Sequence, residues 1–400
     1  MRKTFLLTIA TLLGISLIAG IAVYLAKGYH RDPQTGTISG TGILSITSTP
    51  DQARVYLDGY LTTATNANVN SLTPKTYDVQ IKKEGFIDWQ KKVEVKEGLV
   101  SEIKATLFRG LPSIYPLTDG GAQNIVLSPD SQQIAYVVPV KENADAQSAK
   151  KSGVWVWRMS QQPISFARGA EPHQIGISQA GIDFSKAELK WSPDSSQILA
   201  NFPDRKLLLD TSRLNDPARD VTVVVQATLK TWEDDQKTKD LTRLQTIKDL
   251  KTRQTASESA VLKWSPDETK VLFCHDNCNI TVISASPKPG NSNYKVIDFL
   301  TNKTYEMPLA NFYSWAADSE HIILSETLVV DSRQTSVNKS LSLGKISVVE
   351  FDGANRAEIY GGNFDPGAVI PWPDGSRLVI LSSFPTATAS TPNLYGVNLK

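Results

Sequence analysis

The sequence predicts an all-β protein, in which an N-terminal transmembrane helix precedes a small antiparallel β-sandwich and a β-propeller with one helical insertion. Three observations lead to this prediction. An uncharged apolar run fills the start of the chain, period-two alternation of apolar residues follows it, and a strand–turn–strand unit then recurs five times. The 400 residues exceed what one compact core usually holds, so several domains are expected.

The apolar run lies within residues 1–31. Residues 5–26 contain no charged side chain, and a helix of that length extends roughly 33 Å, which suffices to cross a bilayer. A cleaved signal peptide is the alternative, but it would have a shorter apolar run and a small-residue cleavage site. We therefore expect an uncleaved anchor in a single-pass cell-membrane protein, with a cytoplasmic N-terminus and the bulk of the chain extracytoplasmic.

A short polar segment and a small β domain follow the apolar run. Residues 32–41 are rich in Gly and Thr and lack apolar periodicity, which predicts a flexible stalk. From Gly42 the apolar residues alternate in short runs, which are interrupted at turn dipeptides such as Asp58-Gly59. Residues 42–108 are therefore predicted to form a small antiparallel sandwich of about five strands.

Two stretches of this domain carry a family resemblance. The segments "GILSITSTPDQARVYLDG" and "LTPKTYDVQIKKEGF" resemble a PEGA domain, although the turn at residues 50–53 lacks the family's glycine and Thr76 replaces another. The resemblance implies an extracytoplasmic, surface-associated β module, often beside a membrane anchor, with no catalytic residues.

The rest of the chain repeats a turn that contains aspartate. In "WSPDSSQILA", Pro193 suits the second position of a turn, and Asp194 can accept backbone N–H bonds at the third. An aromatic residue such as Trp191 would seat the inner strand against a neighbouring sheet. The aspartates of the five copies are Asp130, Asp194, Asp267, Asp318 and Asp374.

A strand, this turn, a second strand and two outer strands describe one blade of a propeller. The pattern resembles the W-S-P-D-G repeats of TolB-like (WD-like) propellers, although only the last copy has the glycine, Gly375. We expect residues 109–400 to form the propeller, with five visible blades and room for a sixth. Residues 113–121 and the C-terminal strand would share one blade and close the ring.

One segment interrupts the repeats. Residues 229–254 contain Leu241, Leu244, Ile247 and Leu250 at three-residue steps among many charges, which favours a helix. Three interpretations stay open for this helical insertion: an amphipathic helix against the propeller, a partner-binding lobe, or a solvated excursion packed on its own blade.

Few residues suggest catalysis or metal binding. The chain has no G-x-S-x-G motif and four histidines, which argues against a serine hydrolase. Its 42 basic and 41 acidic residues argue against nucleic-acid binding. Cys274 and Cys278 flank a predicted hairpin loop and are expected to form a disulfide rather than a zinc site or free thiols. No cofactor and no metal are predicted.

These observations predict a non-enzymatic recognition or scaffold protein of the cell envelope, whose propeller is a platform for a protein or glycan partner. Two alternatives stay open. A propeller hydrolase or lactonase would need acidic or His ligands around a metal in the central channel. A cell-wall carbohydrate binder acting through the small β domain would need exposed rings at Tyr56, Tyr60 or Trp89.

Overall fold

The structure of the chain is a computed structural model, which divides into two compact units, Met1–Leu111 and Pro112–Lys400. It describes residues 2–26, 30–31, 38–140, 149–159, 171–179, 181–275, 278, 291–327, 341–384 and 391–399. Most of the predicted stalk, residues 32–37, lies outside the described residues.

The first unit starts with helix α1 (Arg2–Ala26). A helix needs about 20 consecutive apolar residues to span a bilayer. In the part of the chain that the structure describes, no helix meets the length and apolarity that such a span demands. The prediction of a membrane anchor over residues 1–31 is therefore wrong, and so is the single-pass membrane localisation that depended on it.

The remainder of the first unit is β structure. A two-stranded ribbon, β1 (His30–Arg31) with β2 (Ile38–Ser39), precedes two sheets. The strands of the sheets are β3 (Gly42–Thr49), β4 (Arg54–Leu57), β5 (Tyr60–Ala64), β6 (Ala67–Leu72), β7 (Lys75–Lys82), β8 (Trp89–Val95) and β9 (Val100–Thr106).

The two sheets have the orders β6-β3-β9 and β5-β4-β7-β8. Their inward residues alternate with exposed ones, and Leu44, Ile46, Val55, Val79 and Ile81 are fully buried in the shared core. The pairing of β3 with β9 is parallel, whereas the sequence predicted only antiparallel strands. The chain alternates between the two sheets, and after β7 and β8 it re-enters the first sheet as β9, which runs in the same direction as β3.

Within its described residues, the second unit contains five four-stranded antiparallel sheets, which we number as blades 1 to 5. Blade 1 comprises β11 (Gln123–Leu127), β12 (Gln133–Val138), β13 (Gly153–Arg158) and β14 (His173–Ile177). Blade 2 comprises β15 (Glu188–Trp191), β16 (Gln197–Asn201), β17 (Lys206–Asp210) and β18 (Arg219–Asp220), after a short 3-10 helix, Phe184–Lys186.

The other three blades repeat this order from the innermost strand outward. Blade 3 comprises β19 (Val261–Trp264), β20 (Lys270–Cys274), β21 (Asn291–Asp298) and β22 (Lys303–Pro308). Blade 4 comprises β23 (Phe312–Trp315), β24 (His321–Thr327), β25 (Ser342–Glu350) and β26 (Ala357–Phe364). Blade 5 comprises β27 (Val369–Pro371), β28 (Arg377–Ser382), β29 (Asn393–Asn398) and β10 (Ile114–Pro116).

Blade 5 closes the ring, because its outermost strand β10 precedes blade 1 in the chain and its other strands follow blade 4. Ile114 of β10 pairs with Val397 of β29. Side chains reinforce the closure: the amide of Asn398 donates to the hydroxyl of Ser113 at 2.7 Å, and Asn393 accepts from the backbone N–H of Gly121 at 2.9 Å.

The hydrophobic cores of the propeller lie between adjacent blades. Val154 of blade 1 and Leu189 and Leu209 of blade 2 belong to one such cluster. Blades 3 and 4 share a cluster that includes Leu272 and Tyr313. Blades 1 and 2, and blades 3 and 4, are thus stabilised by burying a face against each other.

Two helices, α2 (Val225–Leu244) and α3 (Leu250–Ser257), connect blade 2 to blade 3. Trp232 of α2 packs on Leu199 and Leu208, which are on the face of blade 2 that points away from blade 1. Leu244 and Ala256 pack with residues of blade 3, on the face that points away from blade 4. The helical pair therefore lies between the facing surfaces of blades 2 and 3.

The apolar stripe predicted for this insertion is only partly correct. Leu244 and Ile247 are buried, but Leu241 is 46% exposed and Leu250 is 68% exposed. The stripe assumed one continuous helix, whereas a second helix begins after Asp249, whose carboxylate accepts the N–H of Thr252 at 2.7 Å as an N-cap. Three-residue steps fall short of a full helical turn by about 60° each, which turns Leu241 away from the face of Leu244. Leu250 belongs to the second helix and does not continue the stripe of the first.

Candidate binding site at the mouth of the central channel

Each repeated aspartate lies in the turn between the first and second strands of its blade. In blade 2, the N–H of Ser195 donates to the carbonyl of Ser192 at 3.0 Å, which closes the turn around Pro193 and Asp194. The hydroxyl of Ser192 donates to the carboxylate of Asp194 at 2.5 Å and accepts the N–H of Gln197 at 2.9 Å. The serine and aspartate thus lock the turn.

The other blades use the same device with local changes. The Ser128–Asp130 and Ser265–Asp267 pairs have hydroxyl–carboxylate distances of 2.5 and 2.6 Å. In blade 4 the serine is replaced by alanine, and the ring of His321 bonds to the carboxylate of Asp318 at 2.8 Å. The five carboxylates are all held by groups of their own turns, including Asp374, which accepts the N–H of Ser376 at 2.8 Å. Each carboxylate is thus engaged in hydrogen bonds within its own turn.

The residue after each aspartate has a left-handed backbone conformation, in which a side chain is unfavourable. These φ angles are 57° at Ser131, 60° at Ser195, 59° at Glu268, 60° at Ser319 and 66° at Gly375. Two of the serines also link blades. The hydroxyl of Ser195 accepts the N–H of Asp130 at 3.3 Å, and that of Ser319 accepts the N–H of Asp267 at 3.0 Å.

These turns surround a cavity of about 820 Å³ at one end of the central channel, which we call the mouth cavity. All five blades and α2 contribute to its wall. Its charged lining residues are Asp130, Asp194, Lys239, Arg243, Lys263 and Glu268. Its apolar lining includes Trp264, Phe312, Trp315, Pro129, Pro193, Pro266, Pro371 and Pro373.

Helix α2 forms one side of the mouth cavity and is fastened to two blades. The ammonium of Lys239 donates to the carbonyl of Pro193 in blade 2 at 3.0 Å. Arg243 donates to Glu268 of blade 3 at 2.5 Å and has its guanidinium 5.6 Å from the ring centre of Trp264. The helical insertion is therefore part of the cavity wall. The sequence had left its role open among a helix against the propeller, a partner-binding lobe and a solvated excursion.

Lys263 lies in the innermost strand of blade 3 and also lines the mouth cavity. Its ammonium donates to the carbonyl of Tyr313 at 2.6 Å and lies 4.4 Å from the ring centre of Phe312. Burial lowers the pKa of Lys263 to about 8. The sequence analysis did not identify Lys263 as a site residue. The one indication in the sequence is a charged residue between Leu262 and Trp264 within a strand.

The described residues offer little for metal chemistry. Within the ranges that the structure covers, no three His, Cys, Asp or Glu side chains are grouped so that they could hold a metal ion. His173 contacts the carbonyl of Thr211 in the outer part of the propeller, and His321 is held in its turn. The acidic side chains that line the mouth cavity are engaged as well: Asp130 and Asp194 accept hydrogen bonds within their turns, and Glu268 is paired with Arg243.

The two cysteines lie away from the mouth cavity, at the opposite end of β20. The structure joins Cys274 and Cys278 by a disulfide with a Cα–Cα distance of 5.7 Å. The hydroxyl of Tyr294 in the adjacent strand donates to the carbonyl of Cys278 at 3.1 Å. Two residues of the intervening loop, 276–277, lie outside the described residues.

The three aromatic residues considered for carbohydrate binding in the first unit differ in exposure. Trp89 is 4% exposed and belongs to the sandwich core. Tyr56 is half-buried beside the ammonium of Lys82, and only Tyr60, at 79%, is strongly exposed. The buried ring of Trp89 counts against a carbohydrate site here.

Comparisons with known proteins gave one family match and a set of similar solved structures. Residues 41–110 match the PEGA domain. The chain is similar to TolB from Acinetobacter baumannii (13% identity, 80% of this chain and 60% of that one, TM-score 0.21) and to putative TolB from Agrobacterium tumefaciens (12%, 73% and 91%, 0.23). The predicted resemblance to a PEGA domain and a TolB-like propeller is confirmed.

Other similar structures belong to peptidases. The β-propeller domain of the Trilobed protease from Pyrococcus furiosus is 12% identical, with 72% of each chain covered and a TM-score of 0.22. The match to acylaminoacyl peptidase from Pyrococcus horikoshii spans only 35% of that chain. No curated protein matches the sequence. These likenesses do not separate a binding role from an enzymatic one.

Proposed function

We propose that this chain is a non-enzymatic recognition or scaffold protein whose propeller binds a segment of a partner protein in the mouth cavity. The observation that carries the proposal is the cavity itself, which has about 820 Å³ and walls from all five blades and α2. This volume lies within the range of ligand sites. A rigid ring of blades would present such a site without rearrangement.

The lining of the mouth cavity suits a peptide. Proline and tryptophan side chains provide apolar contact area, and lysine, arginine and aspartate provide both signs of charge. A peptide offers the same mixture of apolar side chains and hydrogen-bonding backbone groups. Binding sites of this kind are mainly apolar, with a few polar groups that set orientation.

The chemistry of the cavity favours binding over catalysis. A metal-dependent hydrolase would need several unengaged carboxylates or imidazoles around one point. Asp194 accepts from Ser192 and from both donors of Ser196, and Asp130 accepts from Ser128 and Gln132. These bonds orient the two carboxylates into their own turns.

Site-specific photocrosslinking in intact cells tests the proposal. Benzoylphenylalanine replaces Gln236, which lines the mouth cavity, or Glu233, which is exposed on α2 and does not line it. We expect a discrete protein adduct from position 236 and none from position 233. Equal adducts at both positions, or none at 236, would count against the mouth cavity as the binding site.

A further inference from the structure

The position of Lys263 restricts what the mouth cavity can hold. Its strand neighbours Leu262 and Trp264 pack towards the helical pair, whereas Lys263 extends towards blade 4. There its ammonium meets the carbonyl of Tyr313 and the ring of Phe312. Both partners supply partial negative charge only, since one is a dipole and the other a quadrupole.

The acidic residues of the mouth cavity do not neutralise Lys263. Among the described residues, no carboxylate lies within 4.0 Å of its ammonium, while Glu268 is paired with Arg243. Asp194 and Asp130 accept hydrogen bonds within their turns. A half-buried cation without a counter-ion is unfavourable, and the depressed pKa of Lys263 reflects this cost. A negatively charged ligand group would remove that cost.

We propose that the mouth cavity binds a carboxylate of its peptide ligand through the ammonium of Lys263. The inference rests on the function proposed above and specifies its ligand: a peptide segment that ends in, or contains, a carboxylate. Phe312 and Trp315 provide apolar surface for the residue beside that carboxylate. Lys239, at the α2 side of the cavity, adds a second ammonium that has no carboxylate within 4.0 Å among the described residues.

Three defined tetrapeptides test the proposal with the full chain. They are acetyl-Gly-Ala-Phe-Ala as the free acid, the same peptide as the C-terminal amide, and acetyl-Gly-Asp-Phe-Ala amide. Binding to the wild type and to each variant is measured by isothermal titration calorimetry, which needs no label on the lysines. The variants are Lys263→Met, Lys263→Arg and, as a matched control, Lys190→Met, which removes an exposed lysine from the inner strand of blade 2.

We expect at least one carboxylate-bearing peptide to bind about tenfold more tightly than the neutral amide. Lys263→Met should abolish the difference, while Lys263→Arg and Lys190→Met should retain it. Tight binding of the free acid alone assigns the carboxylate to a C-terminus, and tight binding of the aspartyl amide assigns it to a side chain. Thermal unfolding of each variant verifies folding.

Two results would overturn the inference, and they differ in what they mean for the proposed function. If all three peptides bind equally and Lys263→Met changes nothing, the cavity recognises peptides without a carboxylate, and the proposed function stands. If no peptide binds at millimolar concentration, both the carboxylate site and the proposed peptide-binding role fail.

Discussion

The indole N–H of Trp264 donates to the carboxylate of Asp240 at 2.9 Å, so the innermost strand of blade 3 is tied to α2. The corresponding tryptophans behave differently. Trp191 donates to the carbonyl of Val126 in blade 1 at 3.2 Å, and Trp315 donates to the carbonyl of Lys263 in blade 3 at 2.7 Å. The helix therefore replaces a direct hydrogen bond between neighbouring blades at one position of the ring.

The first prediction concerns this bond. Asp240→Ala should lower the free energy of unfolding by about 1–2 kcal/mol, because a hydrogen bond to a charged acceptor is lost from a half-buried site. It should also increase proteolytic cleavage within residues 225–257. Urea unfolding and limited proteolysis measure both effects. Asp235→Ala, on the exposed side of the same helix, is the control, and equal effects of the two variants would contradict the prediction.

The second prediction concerns the left-handed turn residues. Ser131→Gly should stabilise the protein by roughly 0.5–1 kcal/mol, because glycine relieves the unfavourable φ at the expense of some unfolded-state entropy. Ser195→Gly should give less or none of this gain, since its hydroxyl accepts the N–H of Asp130. Denaturant midpoints of the two variants are compared. A larger gain at position 195 than at 131 would refute the proposed link between blades.

The third prediction concerns Lys263 and pH. Its pKa in the folded protein, about 8, lies below the ordinary value of 10.5. Between these pH values the unfolded chain binds more protons, so wild-type stability should rise with pH. A pKa lower by about 2.5 corresponds to about 3.5 kcal/mol, and the variant loses the hydrogen bond to Tyr313, so Lys263→Met should be more stable than wild type by roughly 2–3 kcal/mol at pH 7.

This difference should shrink between pH 8 and 10.5, and below pH 8 it should be constant. Urea unfolding of wild type and variant at several pH values provides the measurement. Lys190→Met is the control for the loss of an exposed lysine from an inner strand. A difference for Lys263→Met that does not change up to pH 10.5 would rule out a destabilising charge at this site.

The fourth prediction concerns the turn of blade 2. The hydroxyl of Ser192, followed by the donors of Ser196, holds the pKa of Asp194 below its ordinary value of 3.8. Because the folded-state pKa is depressed, the stability that Asp194 contributes is present above pH 3.8 and is lost as the pH falls below it. Asp194→Ala should cost about 0.5–2 kcal/mol at pH 7, as for a lost capping bond.

Thermal unfolding at pH 7 and pH 3 measures the change, with Asp234→Ala, on exposed helix surface, as the control. The binding of a mouth-cavity ligand should persist in Asp194→Ala at saturating concentration. Lost binding at unchanged stability would show that Asp194 contacts the ligand rather than shaping the turn.

The repeated turns could be predicted from sequence because their bonds are local. Ser192, Asp194 and Gln197 lie within six residues, so spacing alone reveals the unit. The strand that closes the ring could also be predicted, because residues 113–121 precede the first repeat and had no other strand to pair with. Local patterns were insufficient for the start of the chain, where an uncharged run suggested a membrane span that the described structure does not contain.

The mouth cavity could not be predicted, because its chemistry depends on long-range contacts. Lys263 and Tyr313 are 50 residues apart in sequence, and Trp264 and Asp240 are 24 apart. The position of the break between the two helices, in contrast, could have been predicted from the sequence. Asp249, three residues before Thr252, has the spacing of an N-cap, and this signal would have divided the insertion into two helices.

Blade 5 combines β10 from the start of the propeller with three strands from its end, and this arrangement limits the order in which the protein can fold. Ser113 and Asn398, which bond to each other, are 285 residues apart. During synthesis, β10 leaves the ribosome before any other strand of the propeller, and it cannot pair until β29 has been made. Contacts of such sequence separation form slowly. Blades 1 to 4 can assemble in succession, whereas joining β10 to β29 is expected to be the last and slowest step.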